Sequence, residues 1–226
     1  MCYSVESSAK TTVFSLVAIL LLLWSNIPHF KWIAMILIGW CSMQAGELIL
    51  WLTNPRESCT TMNKAITLTL IPLILLSQPL LVIFGSFFVK PWSKCSQNMR
   101  ILILSYCTFF SIIFLYYFFE NPTKYCTTVT KQGHLNWFLK NKEDPRVEMP
   151  YGYYAWLVLI IGAAFLLWDI SYKALVAVFL IPFIGFIYSL RTDSKSSIWC
   201  YYSSYSSLVM LIVYGLYKFK IYDILK

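Results

Sequence analysis

Long apolar runs alternate along the chain with short stretches that hold most of its charges, and the runs are too long for strands. A helix rising about 1.5 Å per residue needs roughly 20 apolar residues to cross the hydrocarbon core of a bilayer. Seven runs approach that length: 11–27, 32–52, 65–89, 101–119, 153–168, 174–190 and 199–217. The pattern predicts an all-α, polytopic transmembrane helix bundle of about seven spans. It forms a single membrane domain over residues 1–226, with one large loop at 120–152. Lys10 precedes a Leu-rich core as in a signal peptide. The run continues through Trp24 to Pro28 without a small-residue cleavage site, so it reads as a mature span.

Composition agrees with the pattern. Apolar residues make up 59% of the 226 positions and charged ones 12%, too few polar groups to cover a soluble surface. The net charge of +8 sits almost wholly between the runs, as for loops that meet anionic headgroups. No nucleic-acid-binding module accompanies it, so the expected partner is the lipid bilayer and not nucleic acid.

Seven spans place the termini on opposite sides. Lys and Arg number ten on the N-terminal side and eight on the other, but setting the mixed-charge loop 120–152 aside leaves five against eight. That favours a cytoplasmic C-terminus and an outside or lumenal N-terminus. Cysteine votes the same way. Cys2, Cys59, Cys126 and Cys200 all fall on the N-terminal side, as suits an oxidising exterior.

Two loops on that side open alike, Asn54-Pro55 with Cys59-Thr60-Thr61 and Asn121-Pro122 with Cys126-Thr127-Thr128. Pro ends each preceding helix and biases Asn out of the right-handed α region. A Cys59–Cys126 bond would tie the start of span three to the large loop, and Cys2–Cys200 would tie the N-terminus to span seven. Four cysteines allow three connectivities, so the alternatives stay open. Within the large loop, His134, Trp137 and their apolar neighbours sit beside basic residues, which suits a contact segment in the headgroup plane or a cap on the bundle.

Met1-Cys2-Tyr3-Ser4-Val5-Glu6-Ser7-Ser8 and Gly133-His134-Leu135-Asn136-Trp137 are two short motifs. In them the chain resembles an uncharacterised family of small seven-span membrane proteins of microbes and large DNA viruses. The resemblance implies the span layout and no activity.

Glu47 is the one carboxylate well inside an apolar run, and an acid at that depth is costly enough to mark a functional position by default. Trp40, Gln44, Glu47 and Trp51 recur at intervals of four, three and four, hence on one helix stripe. Ala45 and Gly46 beside them admit a close neighbour helix. Glu47 is also near enough to the span end for a snorkelling or structurally paired acid. In span three, Gln78 stands between Ser77 and Pro79, where Pro frees a backbone carbonyl. Pro182 interrupts span six, although the two halves of the chain show no sequence similarity. The Ser- and Tyr-rich start of span seven, residues 199–207, suits either helix packing or the lining of a vestibule.

His29 and His134 are the only histidines, too few for a bis-histidine haem bundle or a three-histidine zinc site. Phosphate-binding Gly loops and nucleophile elbows are missing. No metal or cofactor is expected and nothing points to an enzyme. The leading expectation is binding or transport of a small solute or ion through an outward vestibule at Glu47 and Gln44, with Gln78 deeper. One alternative is a receptor or sensor, on a plan resembling G-protein-coupled receptors but without an Asp-Arg-Tyr-like triplet after span three or an Asn-Pro-x-x-Tyr segment in span seven. Another is a structural or assembly membrane protein.

Overall fold

Ser4 and Thr60 each stand just before a helix and accept a hydrogen bond at the side-chain oxygen from the backbone N–H three residues on, at 3.2 and 3.1 Å. Such caps satisfy one of the otherwise unpartnered amides of a helix start, so both helices begin before their apolar runs do. Pro28 occupies the first turn of the next helix, where its missing N–H costs nothing.

The computed structural model of the chain describes residues 4–56, 59–119, 126–131, 133–137, 155–156, 158–160, 162, 172–189 and 195–219. Its helices are α1 (Val5–Trp24), α2 (Pro28–Trp51), α3 (Thr61–Gly85), α4 (Gln97–Phe119), α5 (Tyr172–Ser189), α6 (Lys195–Ser204) and α7 (Ser206–Lys218). Short 3-10 turns lie at Ser86–Phe88 and Trp92–Lys94. The described strands, β1 (Thr128–Val129) and β2 (Leu135–Asn136), form one small antiparallel hairpin.

The architecture is thus an all-α, membrane-embedded bundle. Among the described residues, four helices, Val5–Trp24, Pro28–Trp51, Thr61–Phe88 and Gln97–Phe119, are long and apolar enough to cross a membrane. α4 shows the lipid-facing pattern best. Its buried residues Ile103, Cys107, Phe114 and Phe118 form one stripe, while Leu102, Phe109 and Ile112 stand exposed on the rest. The fifth expected span, 153–168, and the loop 120–152 lie largely outside the described residues. Of the former, Ala155, Trp156 and Leu159 are buried.

The seventh run, expected to be continuous over 199–217, is instead two helices that meet at Tyr205. The side chains explain the interruption. Ser203 and Ser204 donate back to the carbonyls of Trp199 and Tyr201 at 2.8 and 2.7 Å, and the Tyr205 amide turns to the Tyr202 carbonyl, three residues back. Hydroxyls that compete for helix carbonyls bend a helix.

α2 is the central element, packed against α1, α3 and α6 and buried around most of its circumference. Where lipid replaces water, helices associate through close packing and hydrogen bonds. The α2–α3 contact shows both. A Cβ added to Gly39 would stand 3.0 Å from the Gln78 Cα, and one on Gly46 would stand 2.8 Å from the Ile74 Cδ1. The carbonyl that Pro79 deprives of its helical partner is that of Leu75, and the Trp156 indole donates to it at 2.7 Å. Where α3 tightens into a 3-10 turn at Ser86, the Trp32 indole takes the Val82 carbonyl at 3.0 Å.

Candidate functional site

The stripe on α2 faces protein along its whole length. Trp40, Gln44 and Glu47 have no exposed surface and Trp51 keeps 8%. Glu47 therefore neither snorkels to the span end nor meets lipid. Trp40 meets Phe179 of α5 and Trp199 of α6 edge-on, with ring centroids 5.3 and 6.3 Å apart. Trp156 continues this aromatic wall against Trp199 at 5.0 Å. At the other end of the stripe, the Arg56 guanidinium lies over the Trp51 ring, 5.6 Å from its centroid.

α1 supplies the facing polar groups. Its buried residues Ser8, Thr11 and Ser15 recur at intervals of three and four, so they share one face. The Thr11 hydroxyl donates to the Gln44 Oε1 at 3.2 Å and also reaches the Ser7 carbonyl at 2.8 Å. Deeper in the bundle, the Ser207 hydroxyl of α7 donates to the Ser15 Oγ at 3.0 Å and lies 3.2 Å from the Cys41 Sγ. Glu47, Gln44, Thr11, Ser15, Cys41 and Ser207 thus form a polar seam that runs from the C-terminal part of α2 to the level of the kink at Tyr205.

Gln78 is buried as well, but its backbone packs at Gly39, eight residues along α2 from Glu47. At the helical rise, that separates the two levels by about 12 Å. The sequence placed Gln78 deeper than Glu47, and it lies on the α3 side of α2, not among the α1 hydroxyls. Ser203, Ser204, Ser206 and Ser207 are all enclosed by protein.

Sequence reasoning missed the α1 hydroxyls and Cys41. The spacing of Ser8, Thr11 and Ser15 was a legible signal, since three small polar residues on one face of an apolar helix mark a helix interface. It also missed Asn63. Cys59 and Cys126 are joined in a disulfide with their Cα atoms 5.9 Å apart, and beside that bond Asn63 grips the hairpin. Its Nδ2 donates to the Thr127 carbonyl at 3.0 Å, its Oδ1 accepts from the Thr127 amide at 2.9 Å, and Thr67 and Thr127 share a hydroxyl contact at 2.7 Å. Cys41, Cys95 and Cys107 are free thiols. Cys2 and the side chain of Cys200 lie outside the described residues.

The hairpin packs on the bundle as a cap. Val129 pairs with Leu135 and Thr128 with Asn136, Gly133 takes a positive φ of 82° in the turn, and β2 rests against α6. Leu135 and Trp137 are enclosed, and His134 is 5% exposed. Burial disfavours the imidazolium and holds the His134 pKa below its ordinary value.

The seam joins a carboxyl group, a carboxamide, hydroxyls and a thiol within an apolar bundle, a set able to hold a proton, a small cation or a small polar solute. Comparison with known proteins adds no assignment, because the chain matches no family model, no curated protein and no solved structure.

Proposed function

We propose that this chain is a seven-span membrane protein that binds or passes a proton, small cation or small polar solute along the seam on α2. Its N-terminus lies outside or in the lumen. The observation that carries this reading is the complete enclosure of Glu47 within a helix that is itself the centre of the bundle. A carboxyl group at that depth is costly to retain, and polar residues in membrane spans mark solute and proton pathways. Gln44 and Thr11 lie inward of it along the same seam. The kink at Tyr205 adds a helix irregularity at the seam's deep end, of a kind tolerated where the backbone is enclosed by protein.

The test is proton flux. The chain is reconstituted in liposomes holding a pH-sensitive dye, and flux is driven by a potassium diffusion potential. Glu47→Gln is expected to lower the flux at least about tenfold, the effect of roughly 1.4 kcal/mol on a barrier. Flux equal to that of the unaltered chain would remove Glu47 from the pathway.

A receptor or sensor is the second reading, and the latched hairpin favours it. A disulfide and the Asn63 grip fix a folded cap on the end of the bundle. Failure of any extracellular ligand to change hydrogen exchange at the opposite end of the bundle would count against it.

A further inference from the structure

The chain passes from α3 to α4 through the turns at Ser86–Phe88 and Trp92–Lys94, and this connection is folded on an aromatic core of its own. Phe87 and Trp92 meet edge-on with ring centroids 4.9 Å apart, and the Arg100 guanidinium lies over the Trp92 ring, 5.7 Å from its centroid. Arg100 also donates from Nε to the Cys95 carbonyl and from Nη2 to the Ser93 carbonyl, both at 3.0 Å. The turn is thereby fixed, with Lys90 and Lys94 exposed on it.

Its charge is positive whatever lies nearby. Residues 58–119 hold no Asp or Glu. The nearest acids along the chain, Glu57 and Glu120, precede α3 and follow α4, and the 25 residues of α3 rise about 37 Å, several Debye lengths. The turn shares its end of the bundle with the start of α2 and the end of α7. There the Trp32 indole takes the Val82 carbonyl, and Phe30 meets the rings of Tyr214 and Tyr217 at 5.3 and 5.4 Å. Lys31 and Lys218 therefore join Lys90, Lys94 and Arg100 at this end. Asp169, before α5, and Asp223, after α7, would together still leave these five cations in excess.

Exposed aromatic rings mark the depth at which those charges stand. Trp24 at the end of α1 is 88% exposed, Phe88 45% and Phe219, just past α7, 77%. Such rings settle where hydrocarbon meets the headgroups.

We infer that the α3–α4 turn is a docking surface for anionic phospholipid, with Lys90 and Lys94 meeting the headgroup phosphate and Arg100 positioning the turn. The exposed rings commit the surface to a lipid, because a lipid alone offers them acyl chain beneath its phosphate. The surface lies at the opposite end of α3 from the hairpin and does not depend on the seam at Glu47.

The test titrates the full chain in detergent micelles with phosphatidylglycerol and with phosphatidylcholine, and retained lipid is counted by native mass spectrometry. Phosphatidylglycerol is expected to bind saturably and at least about tenfold more tightly. The variant K90Q/K94Q is expected to lose about tenfold or more in phosphatidylglycerol affinity, and K90R/K94R to keep most of it. K10Q/K64Q removes two charges from the opposite end and is expected to bind as the unaltered chain does. The Cys59–Cys126 bond in each variant, read by non-reducing peptide mapping, verifies folding. Equal binding of the two lipids, unchanged binding by K90Q/K94Q, or an equal loss in K10Q/K64Q would overturn the assignment. Displacement of phosphatidylglycerol by an equal concentration of glycerophosphoglycerol, its water-soluble headgroup, would overturn it in favour of a dissolved anion.

Discussion

Asn63 and Thr127, 64 residues apart in the chain, are joined as two paired strand residues would be: the carboxamide of one satisfies both the amide and the carbonyl of the other. The arrangement lets a helix hold an irregular segment without leaving buried backbone groups unpartnered. Asn63→Ala strips both partners from Thr127. The expected cost is about 2 to 4 kcal/mol, from two buried groups at roughly 1 to 2 each, with faster hydrogen exchange over residues 128–137. Unchanged exchange there would show that the disulfide alone holds the cap.

Pro79 and Trp156 are expected to be coupled. Trp156→Phe leaves the Leu75 carbonyl without its indole donor, at a cost of about 1 to 3 kcal/mol. In a Pro79→Ala background the residue-79 amide can make the missing helical bond, so the same change should cost about 1 kcal/mol less. A double-mutant cycle on thermal unfolding in detergent measures the difference. A coupling of zero would mean that the indole bond and the proline are unrelated.

Gly39 and Gly46 should respond unequally to alanine. The Cβ at Gly39 meets backbone, the Gln78 Cα, whereas that at Gly46 meets the end of the Ile74 side chain, which can rotate away. Gly39→Ala is expected to destabilise by about 1 to 3 kcal/mol and Gly46→Ala by less, because only the former must shift a whole helix. The order of the two unfolding midpoints decides the matter.

The cap should loosen in acid. Burial lowers the His134 pKa, so below its ordinary value of 6.5 the opened cap takes up a proton more readily than the closed one. The stability His134 contributes is therefore complete above that value and is lost as pH falls through it toward the lowered one. The protection of residues 133–137, measured by hydrogen exchange and corrected for the intrinsic pH dependence of amide exchange, should fall as pH drops below 6.5, and His134→Gln should flatten the change. An equal pH response in the variant would assign the effect to another group.

Much of the bundle was legible because the hydrophobic period of a helix is local. Helices α1 to α4 lie on their apolar runs, and Trp40, Gln44, Glu47 and Trp51, spaced to share one stripe, are all buried. The Asn-Pro-x3-Cys echo likewise marked the two cysteines that pair. The partners of these residues were not legible. That Thr11 meets Gln44, or that Trp156 serves the Leu75 carbonyl, depends on which helices are neighbours, and periodicity carries no such information. The kink at Tyr205 was hidden for another reason. Ser203 and Ser204 have two options, solvent or the helix carbonyls behind them, and only an enclosed setting forces the second.

The bond between Cys59 and Cys126 closes a covalent ring that contains all of α3 and α4. α4 packs on α3 and, through Tyr106, on Val158, and it cannot drift off into the lipid, because both of its ends are leashed to α3. A single protease cut in the turn between these helices, at residues 86–96, would linearise the ring and still leave one molecule. Two fragments would separate on a gel only after reductant is added.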